Sequence, residues 1–129
     1  MKTILLADDD DAILQTLGQV LTLEQYNVVP ANTGREAAAK FISRLPDLVL
    51  LDLGMSDRDG WDTFNFMRGT RPSVPVIIIT ARPHQRSRAA SLGVAAFMEK
   101  PLDIPLLLKT IRDLLAGPAT KSVFKLAAA

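Results

Sequence analysis

The chain has 129 residues, enough for one compact domain, and its 48% hydrophobic and 22% charged content suits an ordinary soluble core. A net charge of +1 supplies no global field for nucleic acid or an anionic membrane. The absence of cysteine removes disulfides, thiolate metal sites and thiol nucleophiles, and is compatible with the cytosol.

Strand-like and helix-like segments alternate along the chain. Met1-Lys2 runs straight into the first strand, Thr3–Ala7, with no signal peptide in view. That run ends in Asp8-Asp9. Ile13, Leu17, Val20 and Leu21 follow at i, i+4, i+7 and i+8, one stripe of an amphipathic helix. Asn27–Ala31 is the second strand, and Pro30 confines it to an edge. Thr33 and Glu36 form a capping box for a second helix, with Phe41 and Ile42 on its buried side. The third strand, Asp47–Leu51, is closed by Asp52. Trp61, Phe64 and Met67 mark a helix after Gly60. Val74–Thr80 is a fourth strand, Pro83 suits the first turn of the next helix, and Gly93 ends it. Ala95–Glu99 is the fifth strand. Asp103 caps a last helix whose Leu107, Ile111, Leu114 and Leu115 face inward, with Leu102 and Leu107 stapling its start. Residues 117–124, from Gly117-Pro118, read as a tail or a linker to an effector. Lys125–Ala129 resembles a vector-encoded scar, in which case the natural protein continues beyond Phe124.

Several strands are continuous apolar runs, as strands covered on both faces are. Strict alternation implies an α/β fold, a doubly wound five-stranded parallel sheet with right-handed crossovers and strand order 2-1-3-4-5. In that order the first and third strands are neighbours. Ligands bind at the carboxyl ends of such strands, at the switch point. Asp8, Asp9 and Asp52 should therefore meet there.

Carboxylates where buried strands run out cost desolvation unless they are partnered, so three of them at one point call for a cation. The fourth and fifth strands deliver Thr80 and Lys100 to the same rim. Mg²⁺ favours one or two carboxylates with waters and phosphate oxygens. A lysine supplies a point charge for phosphate, and a hydroxyl can donate to a phosphoryl oxygen. A carboxylate can accept the phosphoryl group as an acyl phosphate. The set suits phosphoryl transfer to aspartate.

Four stretches carry a resemblance: Ile4-Leu-Leu-Ala-Asp-Asp-Asp10, Asp47-Leu-Val-Leu-Leu-Asp-Leu53 with Asp59-Gly60, Val74-Pro-Val-Ile-Ile-Ile-Thr-Ala81, and Phe97-Met-Glu-Lys-Pro101. In this order and at strand ends, the sequence resembles the receiver domain of bacterial two-component response regulators, from Met1 to about Ala116. The resemblance implies a cytoplasmic, flavodoxin-like three-layer sandwich that turns over no free substrate. Asp52 would be the phosphoacceptor. Asp8, Asp9, Asp52 and the Gly54 carbonyl would bind Mg²⁺. Thr80, the Ala81 amide and Lys100 would bind the phosphoryl group. Lys100-Pro101 would be a cis peptide, and Phe97 the aromatic switch that turns inward as Thr80 moves. A sensor histidine kinase or phosphotransfer protein would be the donor. A downstream effector domain or protein would read the output. Homodimerisation through the fourth helix, fifth strand and fifth helix is one such output, with no membrane and no direct nucleic-acid contact by this domain.

The chain departs from the family pattern in places. Ser56 stands where members commonly have proline, which implies a looser loop after Asp52. Gly54 and Arg82 occupy positions that tune phosphoryl lifetime. Plainer readings exist for single residues: Asp9 or Asp10 as an N-cap, Thr80 as a strand end, Lys100 as a surface lysine, Phe97 as core. Arg82, His84, Arg86 and Arg88 read as a solvated face or as a docking surface that follows the state of Asp52. Asp8-x-Asp10 also fits a phosphohydrolase of the haloacid dehalogenase type, although Ala12 stands where its motif has Thr or Val. A phosphorylation-independent binding module on the same fold is the other alternative.

Overall fold

Each apolar run becomes a strand, and each amphipathic stretch a helix laid against the sheet. In the computed structural model the chain runs β1 (Thr3–Ala7), α1 (Asp11–Leu23), β2 (Asn27–Ala31), α2 (Gly34–Arg44), β3 (Leu48–Asp52), α3 (Gly60–Thr70), β4 (Val76–Thr80), α4 (Arg86–Leu92), β5 (Ala96–Glu99) and α5 (Ile104–Leu115). The structure describes residues 1–116; the proposed tail 117–124 and scar 125–129 lie outside them. All strand pairs are parallel, in the order β2-β1-β3-β4-β5. No helix among the described residues is long and apolar enough to cross a membrane.

The sheet separates two apolar layers. Val49 and Leu51 of β3 point to one side, against Phe41 of α2, Trp61, Phe64 and Met67 of α3, and Ala89 of α4. Leu48 and Leu50 point to the other, against Leu17 and Leu21 of α1 and Leu107 and Ile111 of α5. This two-residue period explains why β3 and β4 are buried along their whole length. Pro30 lies on the β2 edge as expected, and Lys40 Nζ donates to its carbonyl at 2.6 Å. Leu102 and Leu107 share the second layer, consistent with the staple.

Some local expectations shift. β3 starts at Leu48, since the Asp47 carboxylate instead accepts from Thr3 N–H at 2.7 Å. β4 starts at Val76 and β5 at Ala96. Thr33 caps α2 through Glu36 N–H at 3.0 Å, but Glu36 Oε1 accepts from Asn32 N–H rather than from Thr33. Ile42 is 55% exposed, because the buried stripe of α2 is Gly34, Ala37 and Phe41. One residue past Phe41 is a turn of about 100° around the helix. α4 begins at Arg86, so Pro83 belongs to the loop before it, where His84 has φ +60°. Gly93 ends α4 in the left-handed region as expected.

Gly60 fixes the path from β3 into α3. A Cβ there would lie 2.4 Å from Leu53 Cα and 2.8 Å from Leu53 O, which are backbone atoms that cannot step aside. Gly60→Ala should therefore destabilise the fold by about 2–3 kcal/mol, the size of an overpacked core site. Urea unfolding measures this, and a loss below about 1 kcal/mol would show that the loop yields freely.

Candidate functional site

The strand register builds the site. Ala7 pairs with Leu51, so Asp8 and Asp52 extend side by side from adjacent strands. Asp52 pairs with Ile79, which puts Thr80 one residue further on the next strand. Thr80 pairs with Glu99, and Lys100 N–H donates to the Thr80 carbonyl at 2.9 Å. Asp8 and Thr80 are fully buried and Asp52 is 4% exposed, whereas Asp9 is exposed. One carboxylate oxygen from each of Asp8, Asp9 and Asp52 lies within 4.8 Å of the others.

Local chemistry aims each group. Asp8 Oδ1 accepts from Asp10 N–H at 2.9 Å, and Asp52 Oδ1 accepts from Gly54 N–H at 3.0 Å. Asp10 turns away to cap α1, accepting from Ala12 and Ile13 N–H. Lys100 Nζ reaches in from the β5 end, 2.8 Å from Asp8 Oδ2 and 3.6 Å from Asp52 Oδ2. The Lys100-Pro101 peptide is cis. Thr80 Oγ1 accepts from Arg82 N–H at 2.9 Å. Phe97 is 6% exposed, with the Arg86 guanidinium 5.2 Å from its ring centroid. Ala81 and His84 are exposed.

Burial pushes the Asp52 carboxyl above its ordinary range. The Gly54 N–H bond opposes the rise, Asp8 adds to it, Lys100 opposes it and Asp9 adds to it. For Lys100 burial works the other way, but contact with Asp8 and the charge of Asp52 outweigh it and hold the ammonium above its usual value. The lone ammonium does not neutralise the cluster. Asp8 Oδ2 is buried and, despite the 2.8 Å approach of Lys100, has no donor aligned for a hydrogen bond. An acceptor left in that state, among three converging carboxylates, fits a hard divalent cation with oxygen ligands.

Two residues at the rim carry no local sequence signal. Asp57, in the β3–α3 loop, accepts from Gly34 N–H at 2.7 Å and Arg35 N–H at 2.9 Å. The Arg35 and Gly34 bonds hold its carboxyl below the usual range. Gln85 accepts from Trp61 Nε1 at 2.8 Å. In both cases the partner is more than 20 residues away in sequence. A one-dimensional pattern has no spacing that would reveal them.

Comparison with known proteins agrees with this geometry. Residues 4–112 match the sequence profile of the response regulator receiver domain. The chain is 39% identical over 121 residues to transcriptional regulatory protein GlrR of Escherichia coli, covering 91% of this chain but only 27% of that relative's length. A CheY-like response regulator receiver domain protein from Methanospirillum hungatei superposes with a TM-score of 0.85 at 30% identity, covering 90% of this chain and 94% of that one. The response regulator TrrA from Thermotoga maritima, solved in complex with Mg²⁺-BeF, gives 0.83 at 32% identity, covering 89% of this chain and 100% of that one.

The raised Asp52 carboxyl has a consequence for stability. Its folded value lies above its unfolded one, so the folded protein holds that proton more tightly. Stability is then lost as pH rises from the usual carboxylate value through the raised one. Above that raised value the ionised Asp52 is a liability. Asp52→Asn should be more stable than the wild type at pH 7 by on the order of 1 kcal/mol, as when a strained functional group is relieved. The gain should shrink on acidification and also on adding Mg²⁺ to the wild type. Urea titrations at pH 7 and pH 4, with and without Mg²⁺, measure it. A less stable Asp52→Asn at pH 7 would refute the electrostatic account.

Proposed function

The chain belongs to the response regulator receiver domain family, and on that premise we propose that Asp52 accepts a phosphoryl group from a sensor histidine kinase or a phosphotransfer protein. The observation that carries this is Asp52 itself: 4% exposed, 3.6 Å from the Lys100 ammonium, and grouped with Asp8 and Asp9 at the carboxyl edge of the sheet. One Asp52 carboxylate oxygen attacks phosphorus. An O–P bond forms as the donor's bond to phosphorus breaks, and Asp52 becomes an acyl phosphate.

The surrounding residues supply what that step needs. Lys100 is already in place to pair with the phosphoryl oxygens. Thr80 Oγ1 accepts its turn bond from Arg82 N–H, so its own proton remains for a phosphoryl oxygen, and the Ala81 amide donates beside it. Asp8, Asp9, Asp52 and the Gly54 carbonyl would hold Mg²⁺, which when bound neutralises charge on the transferring group. The buried Asp8 Oδ2, which has no aligned hydrogen-bond donor beside its contact with Lys100, supports that assignment. So does the Mg²⁺-BeF complex of the Thermotoga relative.

The new charge on Asp52 then biases a two-state element formed by Thr80, Phe97 and α4, and partner binding follows. A downstream effector domain or protein, or a second copy of the chain, reads that state through α4, β5 and α5. The domain assists its own phosphorylation and acts as a signalling element rather than a turnover enzyme.

Treatment with Mg²⁺ and a small phosphodonor should add one phosphoryl group to the intact mass of the wild type and none to Asp52→Asn. A chelator should suppress labelling. Lys100→Ala should slow it on the order of 100-fold, the usual effect of losing one electrostatic donor at a transferring group. Labelling that persists in Asp52→Asn, or steady hydrolysis of a phosphate ester that survives Asp52→Ala, would sink the assignment.

A further inference from the structure

α4 is the least supported helix of the fold. It has seven residues, Arg86–Leu92, and only Ala89 is buried. Its N-cap, Gln85, makes no side-chain capping bond, and its first turn holds no acidic residue. Arg86 and Arg88 lie in that turn, where cations oppose the helix dipole. The preceding residue, His84, is in the left-handed region at φ +60°. The start of α4 has no cap of its own and depends on contacts with other elements: Arg86 reaches β5, 3.8 Å from Glu99 and 5.2 Å from the Phe97 ring centroid.

A second tether, on the loop itself, comes from α3. The indole Nε1 of Trp61, a ring only 1% exposed, donates to Gln85 Oε1 at 2.8 Å. Gln85 Nε2 in turn donates to the Pro83 carbonyl at 3.2 Å, which folds the loop onto its own anchor. The Arg88 guanidinium lies 5.2 Å from the centroid of the same ring. Trp61 is itself held at the start of α3, where its N–H donates to Asp59 Oδ1 at 2.9 Å. The hydrogen bond therefore joins the first turn of α3, where the loop after Asp52 ends, to the loop that follows Thr80.

We propose that Trp61 and Gln85 are positioning residues: their hydrogen bond holds the loop between β4 and α4 in its resting arrangement, and phosphorylation of Asp52 breaks it. The proposal rests on the phosphoacceptor role of Asp52. Thr80 and Ala81, which would turn toward the phosphoryl group, lie at the start of the loop that Gln85 ends. Movement at one end pulls on the other. The bond opposes that movement, so it should slow phosphorylation as well as report it.

Trp61 is the only tryptophan of the chain, so its emission reads the bond directly. Wild type, Gln85→Leu, Gln85→Glu and Trp61→Phe are each treated with Mg²⁺ and acetyl phosphate, and intact mass and fluorescence are followed together. In the wild type, labelling should change the Trp61 emission. Gln85→Leu should lose most of that change and label faster by about fivefold, the population shift carried by one ordinary hydrogen bond. Trp61→Phe should label faster to a similar degree. Gln85→Glu keeps an acceptor for the indole but loses the Nε2 donor to Pro83, so it should fall between the wild type and Gln85→Leu. A wild type that labels without an emission change overturns the latch but leaves the phosphoacceptor reading intact. So does a Gln85→Leu protein with wild-type rate and response, or a Gln85→Glu protein that matches Gln85→Leu. A wild type that takes no label overturns both readings.

Discussion

The contact of Lys100 with Asp8 is the interaction around which the rest is arranged. Asp8 is fully buried, and its Oδ2 has one cation within 2.8 Å. Breaking a buried pair by removing one partner leaves an uncompensated charge and costs about 3–5 kcal/mol. Keeping it does not balance the site, because Asp9 and Asp52 bring two more carboxylates to the same 4.8 Å cluster. The ammonium thus lowers the cost of assembling the acids without removing their demand for further positive charge. That residual demand is the physical content of the site. It suits a divalent cation with oxygen ligands, while burial holds the Asp52 carboxyl above its ordinary range.

The rest of the fold supplies the distances. A parallel sheet in the order β2-β1-β3-β4-β5 places β1 beside β3, and only that adjacency lets Asp8 and Asp52 share a counter-charge. β4 and β5 then bring Thr80 and Lys100 to the same edge, where Lys100 reaches back to both acids. β3 and β4, buried along their length, make one rigid side. α4, with one buried residue, makes the soft side. Local opening is cheapest where few apolar contacts hold an element down. The site lies between the two, with Asp52 on the firm side and α4 on the yielding one.

Much of this was legible in one dimension because its causes are local or periodic. Unbroken apolar runs announced strands covered on both faces, and Pro30 placed β2 at the edge it occupies. The order of the strands then fixed which acids would meet. Legibility failed where geometry depends on a partner far away in sequence. Ile42 belongs to an apolar stretch, but α2 turns it outward because Phe41 and Ala37 take the buried stripe. Pro83 has the credentials of a helix start, yet the chain passes through a left-handed His84 first. Neither outcome is written in propensity. Both follow from how α2 and α4 meet their neighbours.

The loop after Asp52 brings these strands of reasoning together. Serine at position 56 in place of the family's usual proline implied a looser segment, since proline restricts the backbone before the chain folds. Several contacts tie this loop to its surroundings. Asp57 ties the loop to the first turn of α2 through two N–H bonds, where a carboxylate also benefits from the helix dipole. Gly60 brings the far end against the Leu53 backbone with no room for a Cβ. Gly54 N–H anchors Asp52 from within. Three contacts with different partners thus restrain the loop. One of them, Asp57 on α2, connects the loop that carries Asp52 to a helix that contributes nothing else to the site. The loop after Asp52 is thus tied to α2 as well as to its own strand.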